Sequence, residues 1–165
     1  MNSTLTFGPA FDDWLRDKIL RLLAITQAMC TSFKKELLSA THNFLAAGGH
    51  SFKMALYTSA ASLDAATTAY TTSNEVTGTG YTAGGQALTN IDPASGGTTG
   101  FTTFTTPVQW TTATITARGA MIYNATQGNK AVAILDFGQD YTSTAGTFTV
   151  NLPAADQTNA ILRIA

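Results

Sequence analysis

Charge is scarce in this chain of 165 residues: Asp, Glu, Lys and Arg make up 12% of it, about half the share usual in soluble domains. The formal net charge is -1, which removes any electrostatic case for nucleic acid or an anionic membrane as the main partner. A single cysteine, Cys30, excludes an internal disulfide framework and a thiolate metal cluster, and is expected as a buried free thiol. No apolar run reaches the ~18 residues that a membrane-spanning helix needs. Ile19 to Met29 is the nearest approach to a signal-peptide core, but Arg21 interrupts it and acidic residues precede it, so no signal is expected. No Gly-x-Ser-x-Gly occurs to carry a serine nucleophile. The polar surface must be built from Thr, Ser, Asn, Gln and Gly, which suits a subunit packed among other proteins.

What is present begins after a tail at 1–10 with no usable pattern. Phe11, Trp14, Leu15, Ile19, Leu22 and Ile25 recur at the spacing of one helix face, and Asp12/Arg16 and Asp17/Arg21 pair along the wet side. Leu20 and Leu23 widen the apolar stripe beyond what a lone surface helix needs, so this helix wants a partner. A second helical pattern, Phe33, Leu37, Ala40 and Phe44, has Thr31 or Ser32 as N-cap and Gly48-Gly49 as stop. One long helix or two meeting near Cys30 would fit, and two is the preferred reading.

From Ser51 the period changes. Ser51 to Tyr57 reads as a strand with Phe52, Met54 and Leu56 on one face. Turn signals then crowd 73–97, with a short strand expected over Gln86 to Ile91 and others over Phe101 to Thr106 and Val108 to Thr114. The C-terminal third is strand-rich: Thr112 to Tyr123, a turn over 125–130, Ala131 to Phe137, Thr147 to Leu152 and Ala160 to Ala165. Threonine makes up roughly a fifth of the chain from residue 51 onward, which fits half-exposed strands. The expected fold is mainly β with N-terminal α-helices (α+β): an antiparallel β-sandwich, Greek-key or jelly-roll-like. Residues 1–30 form a helical extension, and 31–165 a single sandwich domain opened by a helix over 31–47.

Chemistry is thin. His42 and His50 are the only histidines, match no zinc spacing, and read as surface or capping residues. Gly78-Thr-Gly80 with Gly84-Gly85 does not lead from a strand into a helix and reads as a turn rather than a phosphate loop. Asp136 and Asp140 flank Gly138 and shape a turn more readily than they hold calcium. Tyr57, Tyr70, Tyr81, Phe101, Phe104 and Trp110 could line a sugar surface, but such residues more often fill a core or a subunit interface. Arg118 in an apolar strand requires a partner, and Asp136 is the candidate for an inter-strand bridge, an inter-subunit one being the alternative. No catalytic residue, cofactor or metal ligand is assigned.

Several segments resemble a family of small virion proteins of tailed bacteriophages: 31–38 (TSFKKELL), 42–44, 52–58, 74–85 (NEVTGTGYTAGG), 113–124 (ATITARGAMIYN), 131–138 (AVAILDFG), 148–156 and 161–165. Together they cover nearly all of 29–165 in order, while residues 1–28 depart from the pattern, since similar proteins begin near Met29. The resemblance implies a non-enzymatic virion component, foremost a capsid decoration (cement) protein on the head surface. Its implied partners are the major capsid protein or other virion subunits, and further copies of itself in a homo-oligomer such as a trimer. Phe11, Trp14, Leu15, Ile19, Leu22, Ile25 and Arg118 are the residues expected at such an interface. The alternative is a tail, neck or fibre-associated module contacting host surface glycans.

Overall fold

A computed structural model describes residues 24–165. Its spine is one long hairpin, β6 (Val108–Asn124) and β7 (Lys130–Val150), joined by a turn over 125–129. In β6 the buried positions alternate as the threonine-rich pattern expects, Ala113, Ile115 and Ala117 facing the core with Thr114 and Thr116 outside. Trp110 faces the core as well, although it stands three residues before Ala113. A register shift between them, with Thr112 at φ 52°, makes both possible. From Gly119 onward β6 is buried on both faces, and over the same stretch β2 (Phe52–Tyr57) pairs along its other edge.

The main sheet is antiparallel, in the order β1-β7-β6-β2-β3, with β1 spanning Ala28–Met29 and β3 Gln86–Leu88. A second antiparallel sheet, β4 (Ala94–Gly96), β5 (Thr99–Thr102) and β8 (Leu162–Ile164), has the order β4-β5-β8. Leu162, Leu152 and Phe104 from the second sheet's neighbourhood join the same buried cluster as β2, β6 and β7. The protein is therefore mainly β, with two sheets in a sandwich-like arrangement and one short helix among the described residues.

That helix, α1, spans Thr31–Leu38 and does not run to residue 47 as the sequence pattern suggests. Ser39, Ala40 and Thr41 turn back onto the carbonyls of Glu36 and Leu37, with Ala40 in the left-handed region at φ 53°. The cause lies in the residues that follow. Phe44 stacks on Phe52 with ring centroids 4.5 Å apart and meets Phe33 edge-on at 6.0 Å. Both helix-face phenylalanines thus reach the core, but Phe44 does so from a loop.

The segment before α1 is also a correction. Ile25 is expected on a helix face, yet residues 24–30 are extended. Ile25 bridges Leu63 in parallel fashion and Ala28–Met29 pair with Ala133 and Ile134. A side chain at Gly119 would meet Ile25 Cγ2 at 2.9 Å, so the bare backbone there is what seats Ile25 in the core. The other residues of that proposed face, Phe11, Trp14, Leu15, Ile19 and Leu22, lie outside the described residues.

One irregularity shapes the surface. Ala117 pairs with Tyr141 and Gly119 with Asp136, so a single residue of β6, Arg118, stands opposite the four residues 137–140 of β7. This wide bulge lifts Phe137 to Asp140 out of the ladder. Beyond Leu135, among the described residues, the only strand paired with β7 is β6.

Candidate functional site

Three groupings of side chains stand out, two buried and one open. The first joins the two histidines. Asn124, at the end of β6 and fully buried, accepts at Oδ1 from the backbone N–H groups of Thr126 (3.1 Å) and Gln127 (3.2 Å). Its Nδ2 faces Nδ1 of His42 at 2.9 Å and Nδ1 of His50 at 3.0 Å. His42 Nε2 in turn lies 2.9 Å from Glu36 Oε2, and Lys130 Nζ lies 2.6 Å from the other carboxylate oxygen. Burial holds His42 below the ordinary histidine range, against the pull of Glu36. Of the two histidines expected as surface or capping residues, His42 has a fully buried side chain and His50 is half-buried and accepts the Asn43 N–H. They converge because the loop 39–50 folds over the end of the hairpin, which brings together residues 82 and 74 positions apart in sequence.

The second grouping centres on Glu75, which is buried. It accepts hydrogen bonds from Tyr70 Oη (2.6 Å), Tyr81 Oη (2.7 Å) and the Gly84 N–H (2.7 Å). Tyr81 also accepts from the Leu56 N–H, and Tyr123 donates to the Gly84 carbonyl. Burial, reinforced by Glu75, pushes the Tyr70 and Tyr81 phenols upward. A carboxylate with three short donors has little capacity left for a ligand. The cluster ties the irregular 58–85 region onto β2 and β6, and the tyrosines serve the core here instead of a sugar surface. Trp110, Phe104 and Tyr57 are likewise buried, with Tyr57 donating to the Thr71 carbonyl.

The third is a groove of about 620 Å³ along β7. Leu135, Phe137, Phe148, Val150, Leu152 and Ile161 give it an apolar floor, while Thr142, Ser143, Thr147, Asn151 and Gln27 add hydroxyls and amides. Among the described residues, Asp, Glu, His, Lys and Arg contribute nothing to its lining. Phe137 and Tyr141, at either end of the bulge, meet edge-on at 6.3 Å, and Tyr141 is 47% exposed. Behind the bulge, Arg118 Nε donates to Asp136 Oδ1 at 3.0 Å, and the Gly138 N–H donates to the same oxygen at 2.9 Å. Arg118 therefore has its partner within the chain, and Asp136 shapes the turn at Gly138. Asp140 instead takes a hydrogen bond from Ser59 Oγ.

Of the residues expected at an interface, Ile25 is built into the core and Arg118 braces the bulge beside the groove. The residues that sequence reasoning missed are Asn124, Glu36 and the pair Phe137/Tyr141. An asparagine ending a buried strand before a glycine-containing turn was the one local signal for Asn124. No protein-family model, curated protein or solved structure matches the chain.

Proposed function

We propose that this chain is a non-enzymatic structural subunit of a tailed-bacteriophage particle, foremost a capsid decoration protein that binds the head surface as a homo-oligomer such as a trimer. The observation that carries the reading is the lining of the β7 groove. Apolar side chains, hydroxyls and amides gain from being covered by another protein, and among the described residues no carboxylate, imidazole or basic side chain joins the lining. The segments of 29–165 that resemble phage virion proteins and the low charge of the chain point the same way.

The partner in this reading is an extended segment of the major capsid protein or of another virion subunit. It lies along the β7 edge beside the bulge, adding main-chain hydrogen bonds while Phe137 and Tyr141 clasp its side chains. The same reading takes the two sheets as parts of one Greek-key or jelly-roll sandwich. The second reading, a tail, neck or fibre-associated module that contacts host glycans, is favoured by one feature, the half-exposed Tyr141 ring against Phe137.

Sedimentation of the purified chain with heads lacking it, and separately with tails and host cells, separates the two readings. Decoration requires binding to heads that is weakened at least tenfold by Tyr141→Lys. Binding to cells or tails with none to heads would replace decoration by the adhesive reading.

A further inference from the structure

The hydrogen bonds around Asn124 select one tautomer for each of the two histidines. Its Oδ1 receives two backbone N–H donors, from Thr126 and Gln127, so the amide cannot be turned round without facing N–H to N–H. The two hydrogens of Nδ2 are therefore directed at Nδ1 of His42 and Nδ1 of His50, one each. Both nitrogens must present lone pairs. His50 Nδ1 also receives the Asn43 N–H at 3.3 Å. Each ring then carries its hydrogen on Nε2: that of His42 is donated to Glu36 Oε2, while His50 Nε2 faces Gln127 Nε2 at 3.4 Å, a donor–donor pair until the Gln127 amide is turned round to present its oxygen.

We propose that Asn124 and His42, with His50 as the second acceptor, form a proton-operated clamp, which holds the loop 39–50 on the hairpin turn 125–129 while the His42 imidazole is neutral and loosens there when it takes up a proton. An added proton on His42 lands on Nδ1, where it meets the N–H of Asn124 and exchanges a hydrogen bond for a donor–donor contact. The charges facing the pair are those of Glu36 from α1, Lys130 from β7 and each histidine for the other. Glu36 favours the imidazolium, but its other oxygen is already paired with Lys130, and Lys130 and the second ring both oppose further positive charge. Closer to the tip of the loop, Asp92 holds the Ala46 N–H and Asn90 holds the Leu45 and His50 carbonyls. These contacts remain after release, so opening is confined to the face on Asn124.

The sign follows from the bonding. Proton uptake favours the open form, so the clamp is closed above the ordinary histidine pKa of 6.5 and opens as pH falls below it. For one proton taken up on opening, the opening equilibrium rises about tenfold per pH unit. The test is nitrogen-15 NMR of the histidine rings in the full chain, with amide exchange of Asn43, whose N–H donates to His50 Nδ1, corrected for intrinsic rate. Both rings should be Nε2–H tautomers at neutral pH, and protection of that amide should fall at least tenfold between pH 7 and pH 5. In Asn124→Asp a carboxylate oxygen replaces the NH₂, which should raise the His42 pKa and preserve protection at pH 5. Should that variant fail to fold, His42→Asn keeps an acceptor near the Nδ1 position that cannot be protonated, and should reduce the pH dependence. An Nδ1–H tautomer in either ring at neutral pH, or protection that is flat from pH 7 to pH 5 in the unaltered chain, overturns the clamp.

Discussion

Arg118 and Asp136 face each other across the hairpin with Nε and Oδ1 3.0 Å apart, at the one place where four residues of β7 stand opposite one of β6. The pair closes the base of the bulge that carries Phe137 and Tyr141. Its side chains are 33% and 26% exposed, so solvent screens it and the expected cost of Arg118→Ala is only about 0.5–1 kcal/mol. Asp136→Ala should cost more, since it also strips the Gly138 N–H of its acceptor. Burial raises the Asp136 pKa, but Arg118 and the Gly138 N–H outweigh it and hold the carboxyl below its ordinary 3.8. Its contribution is therefore complete above that value and is lost as pH falls through the lower folded value. Urea unfolding of both variants at neutral and acid pH checks the order and the sign.

At Glu75 the prediction concerns what remains when the acceptor is removed. Glu75→Leu leaves two buried phenols and a buried N–H with no carboxylate, and should destabilise by about 3 kcal/mol or more. Glu75→Gln keeps one oxygen and should cost clearly less. In the Gln variant the Tyr70 and Tyr81 phenols, raised first by burial and then by Glu75, should titrate at lower pH than in the unaltered chain. Denaturant unfolding and ultraviolet titration of the tyrosines read these two effects.

Two glycines in the left-handed region make a controlled comparison. At Gly85, φ 69°, an added Cβ would fall 1.8 Å from the Met54 carbonyl oxygen, whereas at Gly128, φ 66°, it meets nothing within 4 Å. Gly128→Ala should cost about 1 kcal/mol from backbone strain alone. Gly85→Ala must also displace β2 from its neighbour and should prevent folding or cost several times as much. Thermal unfolding of the two variants side by side decides the matter.

The Cys30 thiol, fully buried, is pushed up to about 11 by burial and then by Asp64. It should react with a thiol reagent at mildly alkaline pH at least a hundredfold more slowly in the folded chain than in urea. Equal rates in the two states would mean that the start of α1 opens readily.

How much of this was legible in the sequence differs along the chain. The strand at Phe52–Tyr57 was readable from Phe52, Met54 and Leu56 at alternate positions, and β6 from alternating apolar and threonine positions, although Val108 to Thr114 and Thr112 to Tyr123 read as two strands where the structure has one. β7 was read as two strands, Ala131 to Phe137 and Thr147 to Leu152. The run from Gly138 to Gly146 is polar and carries two glycines, the look of a loop, yet it continues the ladder after a bulge. The end of α1 was misjudged because Phe44 keeps helical spacing with Phe33 while its stacking on Phe52 requires a loop. For Ile25 the helical period competed with strand-like pairing, and tertiary contact with Leu63 and Gly119 prevailed. The convergence of His42 and His50 on Asn124 left no local trace, because it depends on pairing of β2 with β6.

The central claim is that this chain covers a particle surface through the β7 face. Difference imaging of phage heads assembled with and without it, by electron cryomicroscopy, tests that most directly. The account predicts added density on the outer head surface, with the bulge at residues 137–140 and the β7 groove against a capsid subunit. Density confined to the tail or fibres, or a β7 groove turned to solvent in the assembled head, would contradict it.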